Sequence, residues 1–107
     1  MHPPAPDERA AMPRRKTTPP AFIYVLGTAT RNGPLTYVGW THNVERRLAQ
    51  HNAGKGARFT RGRIWVLLHW EACASRRHAM SREWHLKRDR ALRKELGRRL
   101  TVEAPAT

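Results

Sequence analysis

Two tyrosines, an arginine, a histidine and a glutamate stand out in this chain, because their types suit the cleavage of a phosphodiester bond. Tyr24 and Tyr37 sit in two apolar, β-branched stretches, Arg47 and His51 are four residues apart, and Glu83 interrupts an otherwise apolar spacing. Phosphodiester hydrolysis needs an activated water, an in-line approach, neutralisation of the charge that builds on phosphorus, and help for the leaving oxygen. A phenol or an imidazole can move the proton. A guanidinium fork matches phosphate oxygens. A carboxylate can hold a divalent ion. Taken singly, each residue has a plainer use: a strand tyrosine fills a core, a helix histidine is a satisfied interior group, and Arg47 with Glu83 could be an ion pair between helices. Only the set of five points to cleavage.

The elements that must position these residues follow from spacing. Asn43 is suited to cap a helix running to about Asn52, with Glu45 in its first turn and Gly54 ending it. Its apolar stripe holds Val44 and Leu48, and the helical repeat adds positions 47 and 51, which are Arg47 and His51. Ser75 caps a second helix to about Arg88, whose stripe reads Met80, Glu83, Trp84 and Lys87. Burying such polar groups unpaired costs several kcal/mol, so they must be partnered or line a cleft. In the strands, a period of two puts Phe22, Tyr24 and Leu26 on one face and Leu35, Tyr37 and Gly39 on one face of the neighbour. A hairpin then brings the tyrosines together. Gly39 is expected to leave a patch open to a backbone or a ligand.

Ala21–Leu26 and Leu35–Trp40 read as that hairpin, joined through Thr28–Pro34 with its Asn32-Gly33 turn signal. Lys55–Arg63 is a basic loop. Lys55, Arg58, Thr60, Arg61 and Arg63 are its candidate substrate-backbone contacts, with Gly54 and Gly56 allowing phosphates to approach. Ile64–Glu71 reads as a third strand, and Ala91–Leu100, with Leu92, Leu96 and Leu100 at helical spacing, as a third helix. The order ββαβαα is an α+β fold, a small antiparallel three-stranded sheet flanked by helices. Trp65, Trp70 and Trp84 fall on the expected apolar faces and read as core. The folded domain is expected over residues 21–100, after a disordered, basic, proline-rich tail over 1–20 that carries six of the eight prolines, and before a loose end over 101–107.

A formal net charge of +13 in 107 residues calls for a polyanionic partner. Nucleic acid comes first. An anionic membrane surface is disfavoured because no basic amphipathic helix has a broad apolar face, and no apolar run approaches the roughly 20 residues of a membrane span. Cys73 is the only cysteine, which excludes an intrachain disulfide and a thiolate zinc cluster and fits a reducing cytoplasm, the expected location. Arg14-Arg15 before Ala21–Leu26 is not read as a twin-arginine signal, because the apolar stretch is too short.

Phe22-Ile23-Tyr24, Tyr37-Val38-Gly39, Asn43-x-x-x-Arg47-x-x-x-His51 and Glu83, in that order, resemble the GIY-YIG nuclease superfamily. The segment Gly54–Arg61 is similar to that of its small stand-alone bacterial members. Phe22 stands where the first motif has glycine, Val38 where the second has isoleucine, and Trp40 where excision-repair relatives carry lysine. The resemblance implies a metal-dependent endonuclease acting on DNA, with catalytic Tyr24, Tyr37, Arg47, His51 and Glu83. Glu83 would hold one divalent cation, Mg²⁺ or Mn²⁺. Arg47 would clamp the scissile phosphate. Tyr37 is the implied base; a free phenol titrates near pH ~10 and an imidazole near ~6.5, so His51 remains the alternative. No separate recognition domain accompanies the fold. Substrates chosen by shape (branched, nicked, flapped or single-stranded) and a role in repair or recombination, with a protein partner, are expected. A catalytically silent nucleic-acid-binding module or a docking subunit of a repair complex is the alternative.

Overall fold

The computed structural model describes residues 19–103. The tail expected over residues 1–20 lies outside them except for Pro19 and Pro20, which are exposed, and residues 104–107 lie outside as well. Strands β1 (Ala21–Thr30) and β2 (Gly33–Thr41) form a hairpin, followed by helix α1 (Val44–Asn52), a 3₁₀ turn at Arg58–Thr60, strand β3 (Val66–Cys73), helix α2 (Arg76–Arg88) and helix α3 (Arg90–Glu103). The sheet is antiparallel in the order β2-β1-β3. The expected α+β architecture is therefore present.

The sheet is covered on both faces. On one, Ile23, Val25, Val38, Leu68 and Cys73 meet Ala79 and Leu86 of α2 and Leu96 of α3, with Leu92 and Leu100 packed alongside. On the other, Tyr24, Leu26 and Trp65 are covered by Val44 and Leu48 of α1, with Leu35, Tyr37 and Leu67. β1 is consequently buried on both sides, and this explains its continuous apolar sequence.

Several boundaries differ from the sequence expectation. The hairpin connection is only Arg31-Asn32, because the Thr30 hydroxyl closes it: Oγ1 donates to the Gly33 carbonyl at 2.6 Å and accepts the Asn32 N–H at 3.1 Å. Gly33 takes φ 113°, a conformation that side chains resist. β3 begins at Val66 and not at Ile64. The Asn52 amide holds both backbone groups of Trp65, at 2.7 and 3.0 Å, and the Thr28 hydroxyl donates to the Ile64 carbonyl at 2.8 Å, which keeps those groups out of the ladder. α3 continues past Leu100 to Glu103, into the stretch expected to be loose.

Both expected helix caps form. Asn43 Oδ1 accepts the Arg46 N–H at 2.9 Å, and Ser75 Oγ accepts the His78 N–H at 3.1 Å. The core stripe of α2, however, is Ala79 and Leu86. Met80 is 46% and Trp84 54% exposed, with the Arg88 guanidinium 3.8 Å from the Trp84 ring. Of the three tryptophans read as core, only Trp65 is; Trp70 is 54% exposed and meets Phe22 edge-on at 5.8 Å. With Ala79 and Leu86 against the sheet, Arg82 turns towards β3 and pairs with Glu71 through Nε and Nη2 at 2.8 and 2.9 Å. The charge pair lies beside the core where an apolar stripe was expected. The Arg82 guanidinium, with His69 also bonded, holds the Glu71 carboxyl at a pKa of about 2.

Candidate active site

Strand register sets the two phenols. Tyr24 pairs with Gly39 and Leu26 with Tyr37, so both rings lie on the α1 face, their centroids 6.5 Å apart. The patch expected to be open over Gly39 is filled by the Tyr24 phenol. A methyl group on Gly39 would come 2.5 Å from Tyr24 Oη. Glycine is required there so that Tyr24 can lie flat across β2, and this close approach, not access for a ligand, accounts for it.

Tyr24 is buried and its hydroxyl lies 2.9 Å from His51 Nε2. His51, in the last turn of α1, is 2% exposed and has its other nitrogen, Nδ1, 2.8 Å from Thr60 Oγ1. Thr60 donates its single hydroxyl proton to the Ala57 carbonyl at 2.8 Å. Its oxygen must then accept from Nδ1–H, Nε2 must carry the lone pair, and Tyr24 must donate to it. A directed chain results, from Tyr24 O–H through His51 and Thr60 to Ala57. Gly56 packs against the His51 imidazole, and a side chain there would collide with Nδ1. Like Gly39, it serves close packing, whereas the sequence suggested an approach for phosphates. Gly54, at φ 78°, ends α1 as expected, its N–H donating to the His51 carbonyl at 3.1 Å.

Burial pushes the Tyr24 pKa well above the ordinary phenol range; neighbouring Tyr37 adds to the rise, and Arg47 opposes it. Burial, then the Arg47 charge, lowers the His51 pKa, so the imidazole is neutral at neutral pH. Arg47 is half-buried. Its Nη1 donates to Gln50 Oε1 at 3.0 Å, while its Nε is buried with no partner among the described residues. An orphaned guanidinium N–H is an anion site in waiting.

Glu83 comes from α2, in the helix layer on the opposite face, yet its charge also acts on Tyr24. The two layers meet at the outer strand: Lys87, one turn beyond Glu83, lines a cavity of about 190 Å³ with Thr36, Tyr37 and Val38 of β2 and Arg93. Glu83 is 22% exposed, with Lys87 Nζ 3.3 Å from its carboxylate. Among the described residues no three His, Cys, Asp or Glu side chains gather into a metal cage. A lone, accessible carboxylate fits an ion that keeps most of its water and shares the substrate phosphate.

The structure thus brings Tyr24, Tyr37 and His51 into contact with Arg47 beside them, while Glu83 reaches them only through its charge, from the other helix layer. Of the five loop candidates, Lys55, Arg58, Arg61 and Arg63 are exposed, whereas Thr60 is wholly buried with its hydroxyl engaged. Thr60 therefore holds His51 and is not free to bind substrate. Phe59, unremarked in the sequence reading, lies over Tyr37, with ring centroids 6.1 Å apart and planes 20° from parallel. Its neighbours Arg58 and Arg61 were the available signal, a ring set among cations.

Residues 20–95 match the model of the GIY-YIG catalytic domain. The chain is 47% identical over 68 residues to a UPF0213 protein of Bacillus licheniformis, covering 63% of this chain and 67% of the relative. It is 48% identical over 67 residues to a UPF0213 protein of Natronomonas pharaonis, covering 62% and 75%, and 46% identical over 76 residues to a UPF0213 protein of Streptococcus pneumoniae, covering 70% and 74%. No solved structure matches it. The chain belongs to the GIY-YIG catalytic domain family. No helix among the described residues is long and apolar enough to cross a membrane.

Proposed function

We propose that this protein is a divalent-metal-dependent endonuclease that hydrolyses DNA phosphodiester bonds, directed by substrate shape and serving repair or recombination. The observation that carries the reading is the buried Nε of Arg47, without a hydrogen-bond partner among the described residues and close to the buried Tyr24 phenol. A scissile phosphate would complete the hydrogen bonding of Arg47, which then resists the charge that develops on phosphorus. Glu83 would hold Mg²⁺ or Mn²⁺, and a bound divalent ion would supply neutralisation of that charge and of the leaving 3′-oxygen.

Tyr37, half-buried at the outer strand, is the phenol able to meet an incoming water, and it serves as general base. His51 has both nitrogens occupied, so a water cannot reach it directly. It acts through Tyr24, orienting that hydroxyl and offering Nε2 for a proton passing along the chain. Lys55, Arg58, Arg61 and Arg63 grip the strand on either side of the cut.

The test is incubation of the purified full chain with labelled linear, nicked, flapped, branched and single-stranded DNA, with Mg²⁺ or Mn²⁺ and with chelator, beside Glu83→Ala. Metal-dependent products that disappear in the variant are expected. A protein that binds these substrates but cuts none under any condition, or a Glu83→Ala variant as active as the parent, overturns the reading.

A further inference from the structure

The turn that carries Phe59 is stapled to the interior from several sides. Thr60 is bonded to His51 and Ala57, the Trp65 indole N–H donates to the Thr60 carbonyl at 2.9 Å, and Asn52 holds the backbone of Trp65. The ring of Phe59 is nevertheless 50% exposed. One of its faces covers Tyr37, and Trp65 stands beside it with centroids 6.0 Å apart. With its ring nearly parallel to Tyr37 but offset from it, half of Phe59 stays open to solvent. The exposed half of this apolar ring gains nothing for the fold, but the ring, packed against Tyr37 and Trp65, has already lost much of the conformational freedom that a binding contact would cost.

Charge says what can lie there. Arg58 and Arg61 flank the ring, Lys55 and Arg63 follow on the same loop, and residues 53–65 contain no Asp or Glu. All four cations are exposed, and none forms an ion pair among the described residues. An aromatic plane between cations suits a flat, π-faced group carried on a polyanionic backbone, and a nucleobase on its strand is that group. Within a duplex both faces of a base are covered by its neighbours, so only an unstacked base can offer one.

We propose that Phe59 is a nucleobase platform, on which an unpaired base of the DNA strand stacks beside the phosphate held by Arg47, while Arg58 and Arg61 hold the phosphates of that strand. This deepens the nuclease reading and rests on it for the position of the scissile phosphate. It selects substrates in which the nucleotide next to the cut is single-stranded, at a gap, a flap or a branch.

The test needs no cleavage. The full chain, in chelator, is titrated with single-stranded oligonucleotides carrying 2-aminopurine at successive positions, and with a blunt duplex of the same sequence. A rise in fluorescence, as the 2-aminopurine leaves the stack of its neighbours, should appear at a defined position, and Phe59→Ala should abolish it while weakening single-strand binding about 5- to 150-fold, the range of one base stacked on one aromatic ring. Duplex binding should stay within twofold, and the salt dependence should be unchanged because no ion pair is lost. Phe59→Leu, which keeps an apolar side chain beside Tyr37, should fail like alanine, and Phe59→Trp should restore single-strand binding. Thermal denaturation of each variant checks that it folds. The proposal is overturned if Phe59→Leu binds and brightens the probe like the parent, or if single strand and duplex weaken equally. A parent that stacks the base but never cuts with Mg²⁺ or Mn²⁺ would sink the nuclease reading and leave the platform standing.

Discussion

Replacing Thr60 by valine removes one hydroxyl and almost no volume from a site that is wholly buried. The consequences can be worked out from the hydrogen bonds. His51 Nδ1–H loses its acceptor, and a buried donor left unsatisfied costs about 1–3 kcal/mol. The Ala57 carbonyl loses one of its two donors, worth at most about 1 kcal/mol because it keeps the Thr60 backbone N–H at 3.0 Å. The imidazole can escape the first cost only by moving its proton to Nε2, which would then face the Tyr24 hydroxyl donor. Thr60→Ser keeps the hydroxyl and loses a methyl group, at about 1 kcal/mol. Denaturant unfolding should therefore order the proteins as parent, Thr60→Ser, Thr60→Val. Nitrogen NMR of His51 should show Nδ1–H in the parent and the serine variant and a mixture of tautomers in the valine variant. Cleavage should fall at least tenfold in Thr60→Val and recover in Thr60→Ser. If Thr60→Val unfolds within about 0.5 kcal/mol of the parent with an unchanged tautomer, the directed chain does not exist.

Gly39→Ala drives a methyl group to 2.5 Å from Tyr24 Oη, so the phenol must leave His51; cleavage should drop at least tenfold, and the ring signals of Tyr24 and His51 should shift together in NMR spectra. Lys87→Met removes the cation 3.3 Å from Glu83 and should lower the Mn²⁺ concentration needed for half-maximal binding, measured by calorimetry; unaltered affinity would argue against Glu83 as the ligand. The Glu71 carboxyl, held at about 2 by Arg82, contributes stability that is complete above its ordinary value of 4.5 and is lost as pH falls from there towards 2. Because the pair is partly solvated, that contribution is about 1–2 kcal/mol, and urea unfolding of Glu71→Gln should show correspondingly less acid dependence between pH 5 and 2.

Much of this arrangement was legible in the sequence, for identifiable reasons. Alternation in two strands and the spacing of Arg47 and His51 are local periodicities, and a hairpin with a capped helix converts them directly into shared faces. The face of α2 was misjudged because Met80 and Trp84 look apolar. The face that packs carries Ala79 and Leu86, and beside it Arg82 reaches Glu71, a contact between distant positions that no period reveals. Thr60 and the two glycines show the same limit. A threonine in a basic loop and a glycine near a catalytic motif both suggest room for substrate, and only the folded neighbours, His51 and Tyr24, show that the room is already filled. Phe59 was missed because its role depends on what its ring lies against.

The resting site carries costs that a bound substrate would relieve together. Among the described residues, Arg47 holds a buried N–H without a partner and the Glu83 carboxylate pairs with the exposed Lys87, while Tyr24 sits where burial resists its ionisation. A protein selected for stability alone would pair Arg47 with a carboxylate, as α2 and β3 do with Arg82 and Glu71 a short distance away in sequence. The contrast between these two arginines is informative because both are half-buried arginines on helices that pack against the same sheet. One is bidentate to a carboxylate and holds the fold. The other is left short of one hydrogen bond among the described residues, beside the buried Tyr24 phenol. On the proposed reading that shortfall is made good by the phosphate. The interaction then strengthens as charge accumulates on phosphorus, which is the condition for binding energy to lower a barrier and not merely to hold a substrate.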